Sequence, residues 1–406
     1  MDLNTSEIAD EVKKKNILHW NYREFNELPI VVKTHGSHVR EIYLKWNKLK
    51  TLPKWIGELK NLQNLYLSGN FIQKLPQEIK FSKLTVLDLN SNQLEFIPTS
   101  VANLITLKYL LLDDNYITRI PPIFSQLRNL EYLSICRNRL ETLPEWLGSL
   151  EKLEDLIVDN NYLEELPNRL TLAPVLLNIS VCSNRLRYLP FNGFLSSPFI
   201  RFDLNRDLNY LSYTLLCQLI SKFRDTFDGD LRNIVSRGCF QKDVTESKNR
   251  NQKLQISPNE YDGNEEITIE FPSQLVKIHK ISNNVVCTLS ELALRKVYKN
   301  RYRHNLEIKK SPLNVKIIYE PRYCSTLNND FQMFQHFFPA ILMDNGPLSI
   351  CHNYHCQEAI FTESWIIFRL GFDFLHFPTC AFFCSHRCAS KFANFSEFRN
   401  HYFLNH

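Results

Sequence analysis

The chain has 406 residues, 48 Lys and Arg against 43 Asp and Glu, and 11 cysteines. That length allows two or three domains, and a net charge of +5 gives no bulk electrostatic case for nucleic acid. Five of the cysteines fall between 351 and 388, so the cysteine chemistry is concentrated near the C-terminus.

Residues 1–16 read as a polar lead in which a capping helix begins. Met1–Ser6 is polar and acidic-leaning, so no signal peptide is expected. With no cysteine clusters flanking the following array, the thiols are expected to be reduced, in an intracellular and cytoplasmic setting.

From residue 17 to 212 one unit recurs about nine times. Its anchor is Asn-x-(Leu/Ile)-x-x-(Leu/Ile)-Pro, and from Pro29 to Pro190 successive prolines are 24, 23, 22, 23, 23, 23 and 23 residues apart. Each unit opens with a short strand whose alternate apolar residues share one face, as in Ile42-Tyr43-Leu44. One unit cannot bury that face alone, so the units must stack on a common core. Asn47, Asn70, Asn92, Asn115, Asn138, Asn161 and Asn184 stand at the bend, where an amide can satisfy backbone groups that the turn leaves unpaired. The period is the leucine-rich-repeat signature. Both ends depart from it: Arg23 replaces the asparagine in the first unit, and the last, Ile200–Leu211, has no proline.

The residues beside and between the core positions line the concave face. Tyr43, Trp46, Tyr66, Phe71, Tyr109, Tyr116, Tyr132 and Tyr162 fall there, as do Asp88, Asp113, Asp114, Asp155, Asp159 and Arg137, with Arg185, Arg201 and Arg206 toward the end. Aromatics at this density suit a protein-binding surface, because aromatic side chains dominate interface hot spots. The bland alternative is a solvated face without a partner.

Residues 213–240 contain a helix-spaced run (Leu215, Leu216, Leu219, Ile220, Phe223) expected to cover the open end of the solenoid. The polar stretch 241–266 reads as a mobile linker or long loop. A second domain is expected from 267 to 406. Ile267–Phe271 alternates as a strand, Thr288-Leu-Ser-Glu291 is a capping box ahead of a helix, and Leu313–Tyr319 is another strand. Seven basic residues lie between Arg295 and Lys310, read as a solvated helix face and its following loop. Trp365–Phe383 is broken by Arg369, Asp373 and His376, so it is expected in a buried core and not in a membrane.

The finger region, 351–392, pairs Cys351 and Cys356 with Cys384 and Cys388. Two cysteines four apart at a helix N-terminus share one side of its first turn, where the dipole favours thiolates. Together the four would complete a tetrahedral thiolate set for a structural zinc. The closing half, Phe383-Cys384-Ser385-x-x-Cys388, resembles FCS-type treble-clef fingers. Cys351 and Cys356 have four residues between them where a knuckle has two, so His352 or His355 could stand in for one of them. Buried cysteines acting as small hydrophobes are the other reading. Cys380 is expected simply to pack.

Little points to an enzyme or a small-molecule substrate. No glycine opens a phosphate loop, and His-Glu-x-x-His and Gly-x-Ser-x-Gly are missing. His355-Cys356 starts like a phosphatase loop, but Thr362 stands where an arginine is needed.

Along nearly its whole length the chain resembles the animal leucine-rich repeat-containing protein 28 family. The resemblance rests on Asn21-Tyr22-Arg23, the irregular ninth repeat, Leu289–Leu294 followed by Tyr298, and Cys356–Phe361 through Cys384-Ser-x-x-Cys388. It implies an intracellular repeat protein without a defined biochemical role. It departs from the family at Cys239, a lone cysteine where relatives carry Cys-x-x-Cys, and at Asn353, where the first knuckle cysteine is expected.

The sequence therefore predicts an α/β chain: a leucine-rich-repeat solenoid followed by a small α+β, treble-clef, zinc-stabilised domain. The expected function is a protein-binding scaffold or adaptor, in signal transduction, with a small GTPase as partner by analogy only. The alternative is a nucleic-acid-associated adaptor acting through the basic segment and the finger.

Overall fold

The computed structural model describes residues 5–77, 79, 81, 83–208, 210–212, 214–216, 218–219, 253–256, 267–272, 274–279, 286–287, 291–296, 306–309, 316–319, 347–353, 356, 358–372 and 375–393. The chain divides into two compact units. The first comprises Met1–Leu163, Ala173–Asn184 and Pro198–Phe202; the second comprises Glu164–Leu172, Arg185–Ser197 and Asp203–His406.

The first unit is a solenoid. Nine three-residue strands form one parallel sheet in sequence order: β1 (Ile17–His19), β2 (Glu41–Tyr43), β3 (Asn64–Tyr66), β4 (Val86–Asp88), β5 (Tyr109–Leu111), β6 (Tyr132–Ser134), β7 (Asp155–Ile157), β8 (Asn178–Ser180) and β9 (Phe199–Arg201). The middle residue of each strand, from Leu18 through Ile200, is buried, and its neighbours on either side project to the opposite face. After the prolines, whose extended backbone ends each repeat, single 3-10 turns such as Lys54–Glu58, Thr99–Asn103 and Glu145–Ser149 return the chain. Ile56, Val101, Phe124 and Leu147 of these turns complete the core.

The asparagines hold the stack together as the spacing predicts. Asn70 Oδ1 accepts the Leu49 amide at 3.0 Å, while its Nδ2 donates to the carbonyls of Leu44 and Leu67 at 2.9 Å. Asn92, Asn115, Asn138, Asn161 and Asn184 repeat this pattern, each reaching back to the preceding repeat. A second feature was not expected. The residue before each of these asparagines has a left-handed backbone: Trp46, Gly69, Ser91, Asp114, Arg137, Asn160 and Ser183, with φ between 51° and 70°. Six of the seven are not glycine, so the ladder holds a conformation that an L-residue adopts only at some cost.

The N-terminal helix α1 (Thr5–Lys14) buries Ile8 and Val12. Its Glu11 accepts hydrogen bonds from Trp20 Nε1, Arg23 Nη1 and Lys15 Nζ. Arg23, standing in the asparagine slot, thus ties the first repeat to the capping helix. Burial alone would raise the Glu11 pKa, but these three donors hold its carboxyl below the usual range.

The second unit carries a four-stranded sheet. Its strands run in the order Leu211–Ser212, Leu375–Phe383, Glu363–Phe372, Lys277–His279. Its core joins Tyr188, Phe191, Tyr210, Phe271, Trp365, Ile366, Phe382 and Phe383. The Phe191 and Phe382 rings lie 4.5 Å apart, and the Tyr210 hydroxyl donates to the Glu270 carbonyl. Trp365–Ile367 and Cys380–Phe383 are buried, and Cys380 packs in this core. Within the stretch read as a linker, Lys253–Ile256 is a strand paired antiparallel with Ile267–Glu270. Its Lys-Leu-Gln-Ile alternation carries that signal; residues 241–252 and 257–266 lie outside the described residues. Residues 214–216 and 218–219 are helical, and Leu215, Leu216 and Leu219 are buried.

Candidate functional site

In the solenoid, the concave face is lined by the strand residues that flank the core position. The parallel register brings like positions side by side, so rings stack along the sheet. His19, Tyr43 and Tyr66 form one column, with centroids 4.9 and 4.4 Å apart, and Lys45 Nζ lies 5.0 Å from the Tyr66 ring. Tyr109 and Tyr132 are register partners with centroids 6.2 Å apart. Trp46 is 54% exposed and stacks on Tyr22 at an interplanar angle of 6°. Phe71, Tyr109, Tyr116 and Tyr162 are also exposed, and Arg139 lies over the Tyr116 ring. Tyr43, Tyr66 and Tyr132 are half-buried.

The acidic residues on this face serve the sheet itself. Asp88 is only 3% exposed and pairs with Lys45 Nζ at 2.8 Å. Asp113 accepts from Ser134 Oγ and from the Cys136 amide; two repeats on, Asp159 accepts from Ser180 Oγ and the Cys182 amide. A short acceptor at this position therefore caps the amide of the next repeat, as Asn90 does for Asp113. Sequence reasoning missed this second ladder, although Asn or Asp recurring two residues before the core asparagine is its signal. Asp114 makes a two-pronged pair with Arg137, and Asn178 reaches Asp155 at 2.5 Å. Burial, followed by the charge of Asp113, pushes the Cys136 thiol up to about 12, so it is a poor nucleophile.

In the second unit, four cysteines converge. The Sγ atoms of Cys351, Cys356, Cys384 and Cys388 all lie within 4.8 Å of one another, with Cys356–Cys384 at 3.4 Å and Cys384–Cys388 at 3.8 Å. Those two separations exceed the ~2.05 Å of a disulfide. Zn–S bonds of ~2.3 Å give a tetrahedron edge of about 3.8 Å, which the Cys384–Cys388 separation equals and the Cys356–Cys384 separation of 3.4 Å approaches. Two local devices build the group. Ser349–Ile350 pairs antiparallel with Ala359–Ile360, and this pairing brings the segments that carry Cys351 and Cys356 together. This accommodates the four-residue spacing. The strand Leu375–Phe383 then delivers Cys384 to the N-terminus of the helix His386–Ala393. There Ser385 accepts the Cys388 amide through its Oγ and its carbonyl, and Phe392 packs on Phe383.

His352 does not join the sulfurs. Its Nδ1 meets the Phe382 backbone at 3.0 Å, and burial lowers its pKa to about 4. His355 lies outside the described residues. Crowding makes the thiols share protons: hydrogen bonds from Cys351 pull Cys356 and Cys388 down, while Cys351 is pushed up by its hydrogen bonds to Cys356, Cys384 and Cys388. The donor set fits a cation that accepts several thiolates at once.

A buried ion pair stands behind this group. Residues 291–296 are helical, and Arg295 Nε donates to Glu291 Oε1 at 2.7 Å while Nη1 donates to the Cys384 carbonyl at 2.9 Å. Glu291 also accepts from the amides of Phe361 and Thr362. Arg295 is therefore interior and not part of a solvated helix face. Glu291 is its helix neighbour four residues back, but the carbonyls of Glu363 and Cys384 that it also reaches lie 68 and 89 residues away in sequence, beyond any local pattern. Lys299, Arg301, Arg303 and Lys310 lie outside the described residues.

Residues 60–117 and 105–163 match the leucine rich repeat family model. The chain is 32% identical over 136 residues to the TMV resistance protein N of Nicotiana glutinosa, covering 32% of this chain and 12% of that one. It is 33% identical over 100 residues to mouse (Mus musculus) podocan, covering 23% and 16%. Among solved structures, a leucine-rich-repeat protein of Leptospira interrogans matches at 26% identity and a TM-score of 0.42, covering 52% of this chain and 66% of that one. The ectodomain of a plant membrane receptor kinase from Arabidopsis thaliana matches at 22% and 0.41, covering 48% and 27%. The chain contains leucine-rich repeats, and its similarity spans only a small part of these curated relatives. Among the described residues no helix is long and apolar enough to cross a membrane.

Proposed function

We propose that the chain is an intracellular protein-binding scaffold or adaptor. The concave face receives a protein partner, and the four cysteines hold a structural zinc that stabilises the second unit. The observation that carries the first part is the exposure of large rings, Trp46, Tyr109 and Tyr116 among them, in a solenoid that buries the central residue of every strand. Aromatic surface of this kind is costly in water and suits burial against a partner. The four-sulfur geometry supports the second part, and a closed tetrathiolate leaves no open position for catalysis. The residues that resemble the leucine-rich repeat-containing protein 28 family favour an intracellular setting, and a role in signal transduction belongs to the same proposal. Cross-linked capture from cell extract with wild-type chain, beside Tyr109→Ala/Tyr132→Ala, tests the binding face. A partner enriched by the first and lost by the second is expected; a partner profile identical in both overturns the reading.

A further inference from the structure

A second group of metal-ligating side chains lies in the same unit, outside the four-cysteine cluster. His279, Cys287 and Glu363 are all buried, and their ligand atoms lie within 4.8 Å of one another. His279 ends the strand Lys277–His279, Glu363 opens the parallel strand paired with it, and Cys287 comes from a separate segment. His279 Nε2 is 2.9 Å from Glu363 Oε2. Its ring stacks on Trp365 at 4.3 Å and 22°, which fixes the direction in which the nitrogen points.

We propose that His279, Cys287 and Glu363 form a second metal site, for a divalent ion of the zinc class. Imidazole nitrogen, thiolate and carboxylate are all zinc ligands, and three protein ligands leave a fourth position for water. Charge favours the assignment. A neutral imidazole, a thiolate and a carboxylate around a divalent ion sum to zero, which lowers the cost of burying Glu363. The neighbouring cation, Arg295, sends its donors to Glu291 and to the carbonyls of Cys384 and Glu363. The two metal groups adjoin, since Cys287 Sγ lies 3.7 Å from the Cys384 carbonyl. The site does not depend on the four-cysteine reading.

The test is elemental analysis of the full chain, loaded with Zn2+ under reducing conditions and desalted. Two zinc ions per chain are expected, falling to one in Cys287→Ala and in Glu363→Gln. Glu363→Gln keeps the side-chain shape, so retained near-ultraviolet circular dichroism separates lost metal from lost fold. With Co2+ instead, the thiolate-to-metal absorption should fall by about one fifth in Cys287→Ala, one thiolate of five. One zinc per chain, unchanged in both variants, overturns the second site and leaves the tetrathiolate standing. One zinc lost in Cys287→Ala but kept in Cys351→Ser does the reverse. No zinc at all overturns both.

Discussion

Gly69 lies beneath the Trp46 ring: a Cβ built on Gly69 would stand 2.5 Å from Trp46 Cδ2. Both residues have a left-handed backbone, with φ of +70° and +56°. Gly69 is thus constrained twice, by its backbone and by the exposed ring above it. Gly69→Ala should cost about 1–2 kcal/mol through left-handed strain and should displace Trp46. Ser183→Gly, at an equivalent position where strain is already present, should raise stability. Thermal melts that move the same way for both would contradict this account of the column.

The asparagine ladder gives a second expectation. Asn115→Ala removes an acceptor for the Leu94 amide and a donor to the carbonyls of Leu89 and Leu112, all buried. The expected loss is about 1–3 kcal/mol by urea denaturation. Asn61→Ala serves as control, because its bond to the Ser37 carbonyl is exposed.

Acid should loosen the N-terminal cap. Glu11 has its folded pKa below the unfolded value of ~4.3, so its contribution is complete above that value. It is lost as pH falls through the folded pKa. Glu11→Gln should flatten this acid dependence, as read from hydrogen exchange of α1 at descending pH. Identical profiles for wild type and variant would mean that Trp20 and Arg23 hold the cap without the charge.

Much of this was legible in advance, and the failures share a cause. The strands, the amide ladder and the cysteine pairing follow from spacing, because a repeat writes its contacts at a fixed offset. The left-handed column was hidden because only Gly69 is glycine; Trp46 and Arg137 look like ordinary surface residues. Asp113 and Asp159 read simply as charges on the concave face; their recurrence two residues before the core asparagine is the signal that each also accepts an amide of the next repeat, of Cys136 and Cys182. His279 and Glu363 lie 84 residues apart, so only the paired strands reveal them as neighbours.

Zinc in the four-cysteine group should be pH-sensitive in one direction. Its ligands bind as thiolates, so protons compete and metal is released as pH falls. Cys384→Ser should release it at a higher pH than wild type, while Cys380→Ala, outside the group, should leave the release curve unchanged. A zinc-sensitive dye titrated from neutral to acid pH reads all three. Release curves that coincide for wild type and Cys384→Ser would show that these sulfurs do not hold the ion.

The central claim is that the concave aromatic face is the binding surface. The most direct measurement is the dissociation constant of the captured partner by titration calorimetry. It compares wild-type chain with Tyr109→Ala/Tyr132→Ala and with Ile105→Ala, an exposed apolar residue outside the strands. Removing the stacked pair should weaken binding by at least ~2 kcal/mol, roughly thirtyfold, with the melting temperature nearly unchanged. Ile105→Ala should bind as wild type does. Equal affinity for wild type and the double tyrosine variant would contradict the account.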